Sequence, residues 1–463
     1  MTLADWRAAQ KAQDSQPFVP AGTSGSRRMK RRILEMEKEV SELKRANEIY
    51  KINERRSKRM CMQEEQLIRT IYEFYRNHQE DCDKEYELAM DQSISDIYEE
   101  LPYSSLPNEL AKISVVILTA NKFEKNTLHQ HVYQTTQKKI QTCTIELFEQ
   151  PKRHNVTDIY LLNWNGYQIL HIACRVTGSY TIGGCADAIR YCINNPYIFP
   201  TSFISFGICF GCREEEDHLC DTVISRKIYP YFIGAKVDGI ALKTSDDYAL
   251  STDSTLENRI ENLKDRNRFE NLGFNVNFHN YITGEAVISS RAIRDMFIGI
   301  TTQDIYAGDM EAYGMYKECN NAYRNIPCVV IKSICDWGIV KNIANYTIST
   351  EVMGRKDTEE EVKNVKDKLQ ALSVYHSFKV LDVLLKNKVF SQSIYARIKK
   401  QLQYEVHEHV WTKKRILDVA EKMNMEIHSS LSQEFVVKLC EDLNDEEIAI
   451  VEEKYISKKG GAI

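Results

Sequence analysis

The sequence is short of the residues that mark fibrous, low-complexity and membrane-spanning chains. Its 463 residues include only 19 glycines and 9 prolines, too few for a collagen-like repeat or a low-complexity protein. No apolar run approaches the roughly 18 residues needed to span a bilayer. Neither sign of charge dominates: 61 basic residues face 66 acidic ones, for a net charge of −5. That balance gives no electrostatic reason to expect nucleic acid as the main partner. The opening MTLADWRAAQKAQDSQPFVP lacks the apolar stretch of a signal peptide, so a cytosolic protein without membrane contact is expected. Paired cysteines are missing too. The 13 cysteines form an odd, scattered set. The Cys-x-x-Cys at Cys209–Cys212 has no second pair and no nearby histidine pair, so reduced thiols are expected rather than a zinc site. No metal or other cofactor is implied.

What is present is globular, with 43% hydrophobic, 10% aromatic and 27% charged residues. The length is a prior for roughly two to three domains of about 150 residues each. Residues 1–26 are small and polar and are expected to be disordered. Residues 27–110 form a helical region and linker. There Ile33, Met36, Val40, Leu43, Asn47 and Tyr50 are spaced alternately by three and four, the seam of a short coiled coil between subunits or of a helix packing on its own domain. The stretch from Arg27 to Arg59 is basic and that from Glu64 to Glu100 acidic, so two helices of opposite charge can pair as a hairpin, with Leu67, Ile68, Ile71, Tyr72 and Tyr75 as an apolar face. LPYSSLPNEL (101–110), with two prolines and two serines, reads as a linker.

Between residues 111 and 388, strand-like runs alternate with helical ones, which predicts a layered α/β core with a mixed central sheet flanked by helices. The strands are read at 114–120, 158–164, 167–176, 202–208, 222–233, 275–283 and 327–336. Helices are read from near Asn121, at 183–193, 288–297 and 310–323, and over about 358–388, where Val362, Val365, Leu369, Leu372, Val374 and Phe378 fall near helical spacing. Residues 389–463 show only helical patterns and are expected as a small helical appendage.

Four segments distant in sequence carry the polar chemistry. They are Thr119–Glu124 after SVVIL, Phe206–Gly211, Gly308–Ala312 and Ser333–Gly338. Ligands of α/β folds gather at strand ends. Carboxylates occur in three of the four segments. Acid–base chemistry needs such a set, one group donating a proton while another accepts one.

The order TAxxxxE, VTGS, a glycine-bearing strand end, TGEAVI, DMEA and ICD resembles the nucleoside phosphorylase/nucleosidase superfamily, over about residues 113–388. Within it the sequence resembles the methylthioadenosine/S-adenosylhomocysteine nucleosidase branch, and it looks closer still to the nucleosidase effector domains of bacterial immune systems, to which ICDWG followed by Lys341 is similar in particular. The resemblance implies a hydrolytic purine N-ribosidase that releases adenine. Asp336 would be the acid that protonates purine N7, its pKa raised by partial burial beside Trp337. Glu124 would orient and deprotonate water, and Glu311 would bind the ribose hydroxyls. Met310 would pack on the sugar, with Asp309 beside it where the nucleosidases often carry glutamate. Gly207 and Ile208 form the glycine-bearing strand end. Thr177, Gly178 and Ser179 would lie near the ribose or phosphate side, and Val287 and Ile288 would meet the base edge. Lys332 and Lys341 suit a 5′-phosphate chain. Trp337 reads as packing or as a lid on the base. His171, His279 and His376 read as structural.

Glu124 favours hydrolysis over phosphorolysis, because the basic residue nearest the glycine loop, Arg213, opens an acidic run. The implied partner is a small purine nucleoside or nucleotide, in a homo-oligomer formed through the core or the N-terminal helices. The implied role is a defence effector that depletes ATP or a related nucleotide. A purine nucleoside phosphorylase, a salvage nucleosidase and a catalytically silent nucleotide-binding module are the alternatives.

Overall fold

The computed structural model describes residues 66–390, apart from 339–358 and the short stretches 151–152, 175, 181, 196–197, 199, 232–235, 239–240, 244–247, 286, 301–302 and 321–325. The heptad-spaced segment, the basic arm of the expected hairpin, Lys341 and nearly all of the C-terminal appendage lie outside the described residues.

Helices α1 (66–77) and α2 (Gln79–Met90) lead into strand β1 (Tyr98–Glu100). The segment expected as a linker is packed against the core: it carries helix α3 (Leu106–Ala111), and Leu101, Leu106 and Leu110 are buried. Strand β2 (Val115–Thr119) then enters the centre of the sheet, followed by helix α4 (Lys122–Thr136). Strands β3 (Ile140–Gln150), β4 (Arg153–Trp164) and β5 (Tyr167–Ala173) form an antiparallel meander on one side. The β4–β5 turn is Asn165–Gly166, both at positive φ, as a two-residue hairpin of this twist requires.

The second half supplies α5 (Cys185–Asn194), β6 (Ser202–Gly211), β7 (Thr222–Pro230), the short strands β8 (Lys236–Asp238), β9 (Ala241–Lys243) and β10 (Leu250–Ser251), and α6 (Ser254–Asp265). There follow β11 (Val276–Thr283), α7 (Arg291–Ile300), β12 (Ile305–Asp309), α8 (Ala312–Cys319), β13 (Cys328–Asp336) and α9 (Glu359–Lys386). The main sheet runs β1-β3-β4-β5-β2-β6-β12-β11-β7-β10, and β13 pairs with both β6 and β7. Those pairings close β6, β12, β11, β7 and β13 into a ring. Strand β6 therefore serves two structures. Its first half pairs in parallel with β2, and its last residues pair antiparallel with β12.

The sheet is covered on both sides, so its central strands are apolar on both faces. On β2, Val115 and Ile117 pack with Leu128 and Val132 of α4 and with Val374 and Phe378 of α9. Val116 and Leu118 face the opposite layer, with Ile189 of α5 and Met315 of α8. Helix α9 docks closely. Its Phe378 stacks on Trp164 with centroids 4.7 Å apart, and its Ser377 donates to the Gly207 carbonyl at 2.8 Å. Among the described residues no helix is long and apolar enough to cross a membrane.

Replacing Phe378 by Ala removes the ring that joins α9 to β4. We expect a loss of about 3–5 kcal/mol in unfolding free energy, read as a lower midpoint in a denaturant titration.

Candidate active site

Strand β2 ends at Thr119 and the chain turns directly into α4 through a reciprocal cap. The Asn121 side chain accepts from the Glu124 backbone N–H at 3.0 Å, and Glu124 Oε2 reaches back to the N–H groups of Ala120 (2.6 Å) and Asn121 (3.1 Å). An Asn followed three residues later by Glu is a sequence signature of a helix start. Here the cap also aims the carboxylate, because Glu124 Oε1 accepts from the Ile208 N–H on β6 at 2.9 Å. Gly207 makes room for it. Its φ is +140°, and a Cβ there would lie 2.0 Å from Glu124 Oε1. Burial pushes the Glu124 carboxyl up to about 7; the Lys332 charge works against this rise, Glu311 adds to it, and the backbone donors Ala120 and Ile208 lower it.

The opposite wall comes from β12 and β13. Lys332 lies inside β13, wholly buried, with its ammonium 2.7 Å from Asp309 Oδ2 and 2.9 Å from Glu311 Oε2. Burial opposes the lysine's charge, but the carboxylates of Asp309, Glu311 and Glu124 prevail and hold its pKa well above the ordinary value. Burial likewise raises the Asp309 carboxyl, against the pull of Lys332. Asp309 Oδ1 accepts from Thr283 Oγ1 and from the N–H groups of Glu311 and Ala312, at 3.0–3.2 Å. Both carboxylate oxygens of Asp309 are thus engaged within the protein. Lys332, expected near a phosphate chain, faces carboxylates, and Asp309, expected beside the sugar, caps the start of α8 and pairs with Lys332.

Asp336 sits beyond an irregularity in β13. Ile334 pairs with Cys209 and Asp336 with Phe210, so Cys335 is the extra residue of a bulge, a device that re-aims side chains beside sites. Asp336 Oδ1 accepts from the Gly338 N–H at 2.7 Å, and the Cys335 thiol lies 3.4 Å from Oδ2. The turn is clamped from α7. The buried Arg294 donates to the Trp337 carbonyl at 2.7 Å and pairs with Glu214 at 3.1 Å. Ile208, which holds Glu124, and Phe210, which faces Asp336, are two residues apart on β6, about 7 Å along a strand.

Trp337 is 1% exposed and packs where Gly211 has no Cβ, 2.6 Å from its ring. It is core, not a lid. The loop after β5 brings Gly178 to Glu311, whose Oε1 accepts from the Gly178 N–H at 3.3 Å, while Ser179 Oγ donates to the Met310 carbonyl at 3.0 Å. Met310 is half-buried and Thr177 exposed. After β11, Ile288 is buried among Phe210, Tyr231 and Phe297, while Val287 is 56% exposed. Arg213 is engaged away from the site, by Glu216 at 2.8 Å and Asp304 at 2.7 Å.

Sequence reasoning gave no role to Arg294 or to Glu285, which binds the Ser179 loop. Both act across long stretches of chain, and no local pattern announces them. Nor did it find the buried relay of Thr119, His171, His129 and Tyr98, linked at 2.7–2.9 Å. Burial holds the His171 pKa down at about 3, so that relay is neutral. His279 stacks on Tyr306, and His376 on Phe274.

Changing Gly207 to Ala puts a methyl group where Glu124 lies and forces a left-handed backbone on alanine. The strain alone costs about 1–3 kcal/mol. We expect a lower thermal midpoint together with loss of whatever turnover the site supports.

No family model and no curated protein matches the chain. Solved structures similar to it include the 5′-methylthioadenosine/S-adenosylhomocysteine nucleosidase from Neisseria meningitidis in complex with methylthio-immucillin-A, at 15% identity and a TM-score of 0.42, covering 59% of this chain and 98% of that one. The corresponding enzyme from S. pneumoniae, with a transition-state inhibitor, is similar at 15% identity and a TM-score of 0.41, covering 59% of this chain and 99% of that one. The S-adenosylhomocysteine nucleosidase from Streptococcus pyogenes, with 5-methylthiotubericidin, stands at 11% identity and a TM-score of 0.41, covering 60% of this chain and 97% of that one. The functional reading of the site rests on its own geometry.

Proposed function

We propose that the chain is a hydrolytic purine N-ribosidase that releases adenine from an adenine nucleoside or nucleotide. The observation that carries this reading is Glu124, a buried carboxyl with its pKa at about 7, held by three backbone N–H groups. A general base works best with its pKa near the working pH. The water proton passes to Glu124 as the water oxygen bonds to the sugar's anomeric carbon. The C–N bond breaks, its electron pair goes to the base, and Asp336 supplies the proton to purine N7.

The sugar carries positive charge in the transition state. Glu311 is the carboxylate offered to its hydroxyls, positioned by Lys332 at Oε2 and by the Gly178 N–H at Oε1. Met310 packs against the ring. Hydrolysis is favoured over phosphorolysis because the buried cation Lys332 is engaged by carboxylates, as is Arg213, the basic residue after the glycine-bearing strand end. The finer reading is a defence effector acting on ATP or a related nucleotide. It is supported by the ICDWG motif, by Lys341 and by the added chain on either side of the core.

The test is incubation with adenosine, methylthioadenosine, AMP and ATP, with and without phosphate, followed by chromatography for free adenine. We expect phosphate-independent release, lowered about 10²–10⁴-fold in kcat by Asp336→Asn. Release that requires phosphate would make the protein a phosphorylase, and release from methylthioadenosine alone would remove the ATP reading. Because Glu124 must be ionised to take the water proton, kcat/KM should rise with pH through about 7, and Glu124→Gln should abolish that limb along with most of the activity. A profile flat between pH 5 and 9 would exclude Glu124 as the base.

A further inference from the structure

Three successive backbone N–H groups in the loop after β5 end on carboxylates. Gly178 donates to Glu311 Oε1 at 3.3 Å, while Ser179 and Tyr180 both donate to Glu285 Oε1 at 3.0 Å. The loop is otherwise fixed by Ser179 Oγ, which accepts from the Gly314 N–H at 3.0 Å and donates to the Met310 carbonyl at 3.0 Å. Adjacent N–H groups converging on one point make an anion-binding concavity, and an inorganic oxyanion satisfies the same donors as a carboxylate. Glu285 comes from the connection after β11, more than a hundred residues along the chain. It is exposed, as is Tyr180, so the concavity opens to solvent. The surroundings also suit an anion. The Lys317 ammonium lies 5.4 Å and the Arg190 guanidinium 5.9 Å from the centre of the Tyr180 ring. Arg190 is answered by Glu318 and Asp187.

We propose that Glu285 is a built-in anion, whose carboxylate fills the backbone concavity of Ser179 and Tyr180, holds the loop in position and keeps inorganic phosphate out of it. Glu285 is a positioning residue: it acts on substrate through the loop and touches no reacting atom. Two charge-assisted hydrogen bonds to one oxygen are strong enough to set the loop. The consequence for chemistry rests on the nucleosidase reading, because a loop already carrying its own carboxylate leaves water as the nucleophile. The occupancy itself does not depend on that reading.

The test uses the full chain as wild type, Glu285→Ala, Glu285→Ser and Glu285→Gln. Thermal midpoints are followed against inorganic phosphate, with chloride added to hold ionic strength constant. We expect the Ala and Ser variants to gain a saturable rise of roughly 2–5 °C. Wild type and the Gln variant, whose amide oxygen still occupies the donors, should lack it. In the adenine-release assay without phosphate, the Ala variant should raise KM about tenfold with kcat within about threefold, and Gln should restore most of that loss. A phosphate response in the Ala and Ser variants no larger than in wild type overturns the proposal. Failure of both variants to fold also overturns it, since the site would then be a fold determinant. If wild type releases no adenine from any substrate, the nucleosidase reading fails while the phosphate titration still decides the role of Glu285.

Discussion

The buried ammonium of Lys332 is the charge around which the site is organised. Asp309, Glu311 and Glu124 all feel it, and without a cation three carboxyls in a water-poor interior could not remain close together. One positive charge does not balance three negative ones. Burial lifts the Asp309 and Glu124 carboxyls above their ordinary ranges while the lysine stays charged. Glu124 is poised near neutrality chiefly by burial, with Lys332 working against the rise and Glu311 adding to it. The same ammonium fixes Asp309, which caps α8, so the helix that begins beside Glu311 and the charge that orients Glu311 share one origin.

Local folding and chemistry coincide at Glu124 as well. Its side chain completes a helix cap, which any glutamate at that position would do, and the cap leaves one oxygen directed at β6. Gly207 is required there because the carboxylate occupies the volume of a side chain. The carbonyl of that same glycine is held by Ser377 of α9. A helix residue 170 positions later thus supports the backbone against which Glu124 is set, and the site is continuous with the core on both faces of the sheet.

Much of this was legible in the sequence, and the parts that were not share a cause. β2 (VVILT) and the first half of β13 (CVVI) are apolar and rich in β-branched residues, as strands buried on both faces tend to be, and the acidic residues at or beyond their ends stood out against them. β12 was invisible as a strand because Ile305–Asp309 is short and carries a glycine, so its end reads as the opening of the helix that follows. β6 was read as ending at Ile208 because Gly207 looks like a terminator, whereas the strand bends there and runs on to Gly211 to meet β12. The prolines of 101–110 suggested a linker, yet its leucines, Leu101, Leu106 and Leu110, are buried. Lys332 is the instructive case. A lysine within an apolar strand suggested a ligand contact, and only the arrangement of β12 beside β6 reveals carboxylates waiting for it.

The ring of pairings through β6, β12, β11, β7 and β13 has a bearing on the order of events during synthesis. The ring closes only when β13 joins β6 and β7, and β13 brings both Lys332 and Asp336. A nascent chain that has already presented Glu124 and Gly207 holds half a site, with carboxyls that have no counter-charge and a sheet that ends in open edges. Domains assemble as the chain emerges from its N-terminal side, and here Asp336 and Lys332 arrive together on the last of the described strands. The ribosome must therefore have released nearly the whole core before Glu124 can meet Lys332 and Asp336.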